Sequence, residues 1–129
     1  MLMKKKAGKA AAKKRSARTA QFLQKPTCTT CRKARAYMED RGFALHFRDL
    51  DKERLSSDEL EKLIGDRDHR EFLNTRNELF RQKNMKNTPP SRADAIRMMV
   101  SEPNLIRRPV IVARGRIVLG FDQAEIDRL

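Results

Sequence analysis

The chain has no tryptophan, one tyrosine, two cysteines and five glycines in 129 residues, and its first acidic residue is Glu39. Each shortage excludes something. Two cysteines cannot frame a disulfide scaffold, and their Cys-x-x-Cys spacing points to redox or metal chemistry in a reducing compartment, for which the cytoplasm is the default expectation. No stretch approaches the roughly 18 apolar residues that a membrane-spanning helix needs. The longest apolar run near the start is Ala10 to Ala12, shorter than the about 7 to 15 residues of a secretory signal. The sequence therefore gives no support to a membrane or a Sec-exported protein. The acid-free start, with its arginines and serine, has the composition of a mitochondrial transit peptide, but Lys4 to Lys6 and the Lys/Ala run read equally as a solvated extension.

What the chain does have is charge of one sign, with a formal net charge of +13. Residues 1–19 hold eight cations (Lys4, Lys5, Lys6, Lys9, Lys13, Lys14, Arg15 and Arg18) and no acid, while the other 110 residues carry 22 basic and 17 acidic groups. Leu, Ile, Val and Phe make up 28 of the 129 residues, near the roughly 20% level below which a highly charged chain stays unfolded. A small core fits residues 20–129, and residues 1–19 read as a disordered basic arm. Contact of that arm with nucleic acid would be non-specific and phosphate-directed, because it offers no aromatic side chain for base stacking.

Along residues 20–129 the periodicity changes repeatedly. Phe22 and Leu23 suggest a short strand from Ala20 to Gln24, ahead of Lys25 and Pro26. Cys31, Ala34, Tyr37 and Met38 then line one face of a helix from Thr29 to Arg41, which Gly42 can end. Phe43, Leu45 and Phe47 alternate as in a half-buried strand, completing a βαβ unit. Ser56 with Glu59 predicts a capping box, with Leu60, Leu63 and Ile64 as the buried stripe and Gly65 as the stop. Residues 66–91 read as short helical pieces, followed by a helix from Ser91 to about Ser101 that Pro103 interrupts. Val110 to Ala113 and Arg116 to Leu119, separated by Arg114-Gly115, predict a tight hairpin. Asp122 with Glu125 starts a last helix.

The strongest chemical signal is Pro26-Thr27-Cys28-Thr29-Thr30-Cys31, at the junction of the first strand and first helix. Free N–H groups and the positive dipole at a helix start favour a thiolate at Cys28. Cys31, one turn on, can attack a mixed disulfide formed at Cys28. Lys25, Arg32, Lys33 and Arg35 add positive charge around the pair. Two other readings stand beside this one. The cysteines can be incidental, or they can bind zinc together with His46 and His69. The zinc reading has 14 and 22 intervening residues, where a finger has about 12 and 3 to 5.

Four motifs, in order, resemble the ArsC (arsenate reductase) family together with its Spx regulator branch: Pro26-Thr27-Cys28-Thr29-Thr30-Cys31-Arg32-Lys33-Ala34-Arg35, Leu73-Asn74-Thr75-Arg76, Ile106-Arg107-Arg108-Pro109-Val110 and Leu119-Gly120-Phe121. The resemblance covers about residues 20–129. It implies an α/β, thioredoxin-like fold with a helical insertion between a βαβ half and a ββα half, and a cis-proline at Pro109. It also implies Cys28 as nucleophile, with Arg76 and Arg108 as two of three arginines that hold an oxyanion. The third would fall near Gly120, where the chain has no cation and Arg116 is the nearest substitute. Losing one charge-assisted donor weakens anion binding by roughly 1.5 to 3 kcal/mol. No bound cofactor is implied; glutathione with glutaredoxin, or thioredoxin, would supply electrons. The second cysteine, Cys31, resembles the Spx branch instead, whose Cys-x-x-Cys is a disulfide switch and whose partner is the C-terminal domain of the RNA polymerase α subunit. The loop Gly65-Asp66-Arg67-Asp68 is short where that branch has a contact glycine. Leu73-Asn74-Thr75-Arg76 and Leu119-Gly120-Phe121 are shared with family members regarded as thiol reductases, which tilts the expectation toward an enzyme.

Overall fold

The structure is a computed structural model that describes residues 18–129. Residues 1–17, and with them the expectations for most of the basic arm, lie outside the described residues. Strand β1 (Arg18–Gln24) leads into helix α1 (Thr29–Asp40) and strand β2 (Phe43–Asp49). The insertion then holds α2 (Ser57–Ile64), a 3₁₀ turn (His69–Phe72), α3 (Glu78–Gln82), α4 (Arg92–Ser101) and a second 3₁₀ turn (Pro103–Leu105). Strands β3 (Val110–Ala113) and β4 (Arg116–Leu119) and helix α5 (Gln123–Ile126) close the chain. The sheet order is β2-β1-β3-β4, with β1 parallel to β2 and antiparallel to β3. This is the α/β, thioredoxin-like arrangement of βαβ and ββα halves around a helical insertion.

Period-two alternation sorts the sheet between two cores. Phe22, Ile111 and Val118 pair across neighbouring strands and face α1 and α5, where they pack with Cys31, Ala34, Met38 and Ile126. Leu23 and Val110 point the other way, into the insertion, against Leu60, Ile64, Phe72, Met99, Leu105 and Ile106. Phe22 and Phe72 are fully buried, and burial of each contributes about 1.5 to 3 kcal/mol.

The predicted caps are present. Ser56 Oγ accepts from the Glu59 N–H at 3.1 Å while Glu59 Oε1 accepts from the Ser56 N–H at 2.9 Å, forming the full capping box. Ser91 and Asp122 cap α4 and α5 with their side chains. Arg114 and Gly115 take φ of 54° and 75°, the left-handed pair that a two-residue hairpin turn requires.

Two sequence expectations shift. Strand β1 begins at Arg18, two residues before the expected boundary, because parallel pairing with β2 runs from Arg18↔Phe43 to Gln24↔Asp49. Arg18 also stacks its guanidinium over the Phe43 ring, 4.5 Å from the centroid, and donates to the Arg41 carbonyl. The alternation of β2 does not bury all three apolar residues: Phe43 is buried, Leu45 half-buried and Phe47 43% exposed. β2 is an edge strand, and Phe47 meets Phe22 in a T-shaped contact and the guanidinium of Arg35.

Candidate redox site

Cys28 is the N-cap residue of α1, with extended backbone (φ −78°, ψ 123°) and no side-chain hydrogen bond to the helix start. A serine or aspartate there would occupy the first free N–H groups; a thiol leaves them directed at its own sulfur. The first turn contains no acid. Cys31 lies one turn on, fully buried beneath the helix, while Cys28 is half-buried; both are free thiols.

The two thiols differ sharply in acidity. Burial pushes the Cys28 thiol up, but the backbone N–H and thiol of Cys31 and the Arg108 guanidinium outweigh it and bring Cys28 below the ordinary 9.0. Burial, reinforced by the neighbouring Cys28 sulfur, pushes Cys31 up to about 12, against the opposing pull of the Lys25 backbone and Arg108. Cys28 is thus the more acidic of the two thiols and Cys31 the less acidic.

The cation that acts on Cys28 comes from the far end of the sequence. Arg32 folds back on Thr27 O and Thr29 Oγ1, Arg35 pairs with Glu39, and Lys25 Nζ donates to Asn104 Oδ1 at 3.0 Å and pairs with Asp51 at 3.5 Å. Three of the four expected local cations are therefore engaged elsewhere, and the fourth, Lys33, is exposed on the helix. Arg108 instead donates from Nη1 to Asn104 Oδ1 at 3.3 Å, while its buried Nε has no partner among the described residues. A buried N–H of this kind is costly unless a thiolate or a bound anion meets it.

Asn104 and Asn74 assemble the arginine side. Asn74 donates from Nδ2 to Asn104 O at 3.0 Å, its N–H reaches Leu105 O at 2.7 Å, and the Arg107 N–H reaches Phe72 O at 2.8 Å. Leu73 and Ile106 form an antiparallel bridge. The Asn74 side chain also accepts from the Arg76 N–H at 3.1 Å. Arg76 and Arg108 are thereby brought to the same cleft as Cys28. The Arg108–Pro109 peptide is cis, as the resemblance implied.

The cleft has a volume of about 720 Å³ and is walled on one side by Cys28 and Thr30 and on the other by Arg70, Glu71, Arg76, Arg107 and Arg108, with Gly120 and Phe121 beside them. Arg116, the sequence's candidate for the third cation, is elsewhere: it opens β4 and donates to Arg128 O at 3.1 Å. Arg107 takes that place, since a Cβ built on Gly120 would lie 3.2 Å from its Nε. Adjacency to Arg108 in the Arg-Arg-Pro motif was the available sequence signal for it. Asn74 and Asn104 carried no sequence signal of their structural role. His46 and His69 do not join the cysteines: His46 is exposed on β2, and the His69 ring contacts Pro90 O at 2.9 Å. Among the described residues no three His, Cys, Asp or Glu side chains gather as a metal site.

A helix-capping cysteine over a buried partner thiol, facing arginines across a cleft beside a cis-proline, defines a thioredoxin-like fold with a Cys-x-x-Cys at its cleft. The ArsC family model matches residues 23–129, and the chain belongs to that family. It is 32% identical over 105 residues to the global transcriptional regulator Spx of Bacillus subtilis, covering 80% of each chain. Among solved structures it resembles an arsenate reductase from Vibrio cholerae, with a TM-score of 0.75 and 23% identity over 88% of this chain and 98% of that one. It also resembles an arsenate reductase (ArsC) related protein from Brucella melitensis, with a TM-score of 0.69 and 26% identity over 85% and 92% of the two chains. No helix among the described residues is long and apolar enough to cross a membrane.

Proposed function

We propose that this protein is a thiol–disulfide oxidoreductase of the ArsC family, arsenate-reductase-like, with Cys28 as nucleophile and Cys31 as resolving thiol. Arg76 and Arg108 hold the anion and stabilise the thiolate. The observation that carries this reading is the Cys-x-x-Cys at the start of α1, with Cys28 lining an arginine-rich cleft and Cys31 buried one turn on.

The Cys28 thiolate attacks one sulfur of a substrate disulfide, the S–S bond breaks, and the departing thiolate takes a proton from solvent. Capping Cys28 removes the negative charge that helps hold Cys31 protonated. Cys31 then loses its proton, attacks Cys28 Sγ and releases the second thiol, leaving a Cys28–Cys31 disulfide. Two electrons have passed to the substrate. Glutathione with glutaredoxin, or thioredoxin, returns them, and no bound cofactor takes part. With arsenate the thiolate displaces from arsenic a hydroxide that leaves as water once protonated; attack by Cys31 on Cys28 Sγ then breaks the S–As bond, and its electron pair stays on arsenic, which departs as As(III) arsenite.

A second reading uses the same cysteines as the switch of a redox-sensing transcription regulator that binds the C-terminal domain of the RNA polymerase α subunit. The 32% identity to a protein named global transcriptional regulator favours it. Either role suits the reducing cytoplasm. Turnover of arsenate and of small disulfides, measured beside a pull-down of the α subunit, separates the two. Turnover without α-subunit binding supports the enzyme, whereas inert protein that binds the subunit supports the regulator.

A further inference from the structure

The cleft opposite Cys28 is lopsided in charge. Four guanidinium groups line it, from Arg70, Arg76, Arg107 and Arg108, against the single carboxylate of Glu71. Arg70 is neutralised by Asp68, which it meets through Nε at 2.9 Å and Nη2 at 2.7 Å. The guanidinium groups of Arg76 and Arg107 have no hydrogen-bond or ion-pair partner among the described residues, and Arg108 keeps a buried Nε unmet. Arg76 and Arg107 thus present free donors to one space, beside the more buried Arg108.

Gly120 determines how Arg107 reaches that space. The Gly120 N–H is fixed to Pro109 O at 2.9 Å, so its backbone is tied to the cis-proline segment. The Arg107 guanidinium lies over it, with Nη2 3.3 Å and Cζ 3.6 Å from the position a Cβ would take. A side chain at residue 120 would contest the volume that Arg107 now fills. The site keeps a third guanidinium, delivered from residue 107.

At about 720 Å³ the cleft is also far roomier than a single oxyanion needs. It falls within the roughly 300 to 1,000 Å³ of sites for drug-sized ligands. Resting on the thiol–disulfide reading above, we infer that Arg107, with Arg76, makes this a site selective for disulfides that carry carboxylates, the anionic groups seating on the guanidiniums while one sulfur meets Cys28. Arg107 acts here as a specificity residue. It binds the substrate's charge and does not take part in sulfur transfer.

The test compares three small symmetric disulfides on the reduced full-length protein: dianionic dithiodipropionate, neutral hydroxyethyl disulfide and dicationic cystamine. Each rate is divided by that with free mercaptoethanol, which removes differences in leaving-group acidity. At low ionic strength the dianion is expected to react about tenfold or more faster than the dication, with the advantage shrinking as salt screens the charges. Arg107→Gln should cut that preference at least about threefold, and Arg107→Lys should retain most of it, because charge rather than fork geometry sets encounter. Equal normalised rates for the three disulfides in the wild type, or an unchanged preference in Arg107→Gln, would overturn the inference while leaving the oxidoreductase in place. Failure to exchange with any of the three would instead overturn the oxidoreductase.

Discussion

The two walls of the cleft are built in opposite ways. The cysteine wall is a single stretch, Lys25 to Cys31, in which the strand end, the N-cap and the first helical turn follow one another and every defining feature is local. The arginine wall is assembled from residues 70–76, 104–108 and 120–121, three segments joined by the Leu73↔Ile106 bridge, the Arg107–Phe72 and Gly120–Pro109 backbone hydrogen bonds, and the hydrogen bonds of Asn74 and Asn104. Local structure places the two thiols and supplies most of what lowers the Cys28 pKa, through Cys31, while tertiary contacts add Arg108 and line the cleft with arginines. Perturbing one wall should therefore remove the reaction, whereas perturbing the other should retune it.

The sharpest break is Cys28→Ser, which should abolish disulfide exchange and diamide-induced oxidation while leaving the circular dichroism spectrum unchanged. Mass spectrometry should show the wild type losing two hydrogens and the variant none.

Ile106→Ala attacks the joint of the arginine wall. Ile106 is 1% exposed within the insertion core, so truncation should cost about 2 to 5 kcal/mol of stability in urea unfolding. A loss below about 1 kcal/mol would mean that the bridge is not a structural joint.

Arg108→Ala should lower kcat/KM by roughly tenfold or more. Because Arg108 lowers the Cys28 pKa, the pH profile of Cys28 alkylation should move to higher pH in the variant. A profile that stays put would show that the arginine wall does not tune the cysteine wall.

The cysteines should also pull stability in opposite directions. Cys31 keeps its proton in the folded state up to about 12, against an ordinary 9.0. The reduced protein should therefore lose stability as pH rises through that window, and Cys31→Ala should lack this loss. Cys28 is shifted below 9.0, so its contribution is present above 9.0 and fades as pH falls through its folded value. Thermal melts of both single variants against pH separate the two.

The smallest effect is expected from Ser56→Ala, which removes the capping box of α2 on the far side of the insertion. It should cost about 1 kcal/mol and leave Cys28 alkylation untouched, since neither wall of the cleft includes it.

Much of the frame was legible in the sequence because it depends on short-range rules. Ser56 and Glu59, Arg114-Gly115, and the Cys-x-x-Cys before an apolar helical face each fix a backbone choice within a few residues, and the structure holds a capping box, a hairpin turn and a capping cysteine there. The start of β1 was misplaced because Arg18 and Thr19 have no apolar signal. They are strand only because β2 offers them partners. Phe47 kept its alternation but not its burial, since it lies toward the end of an edge strand that has a neighbour on one side only.

By itself the sequence determined which sulfur caps the first helix and which lies one turn on, because N-capping and helical spacing act over a few ångströms along the chain. The motif resemblance pointed to Arg76 and Arg108, but only the tertiary structure decided that Arg107 lines the cleft beside them and that the local cations do not. Lys25, Arg32 and Arg35 are near Cys28 in sequence yet engage other partners, while Arg107 and Arg108, some 80 residues away in sequence, line its cleft. Guanidinium groups on long side chains go wherever burial and hydrogen bonding leave them, and that is settled by how the insertion packs on the sheet.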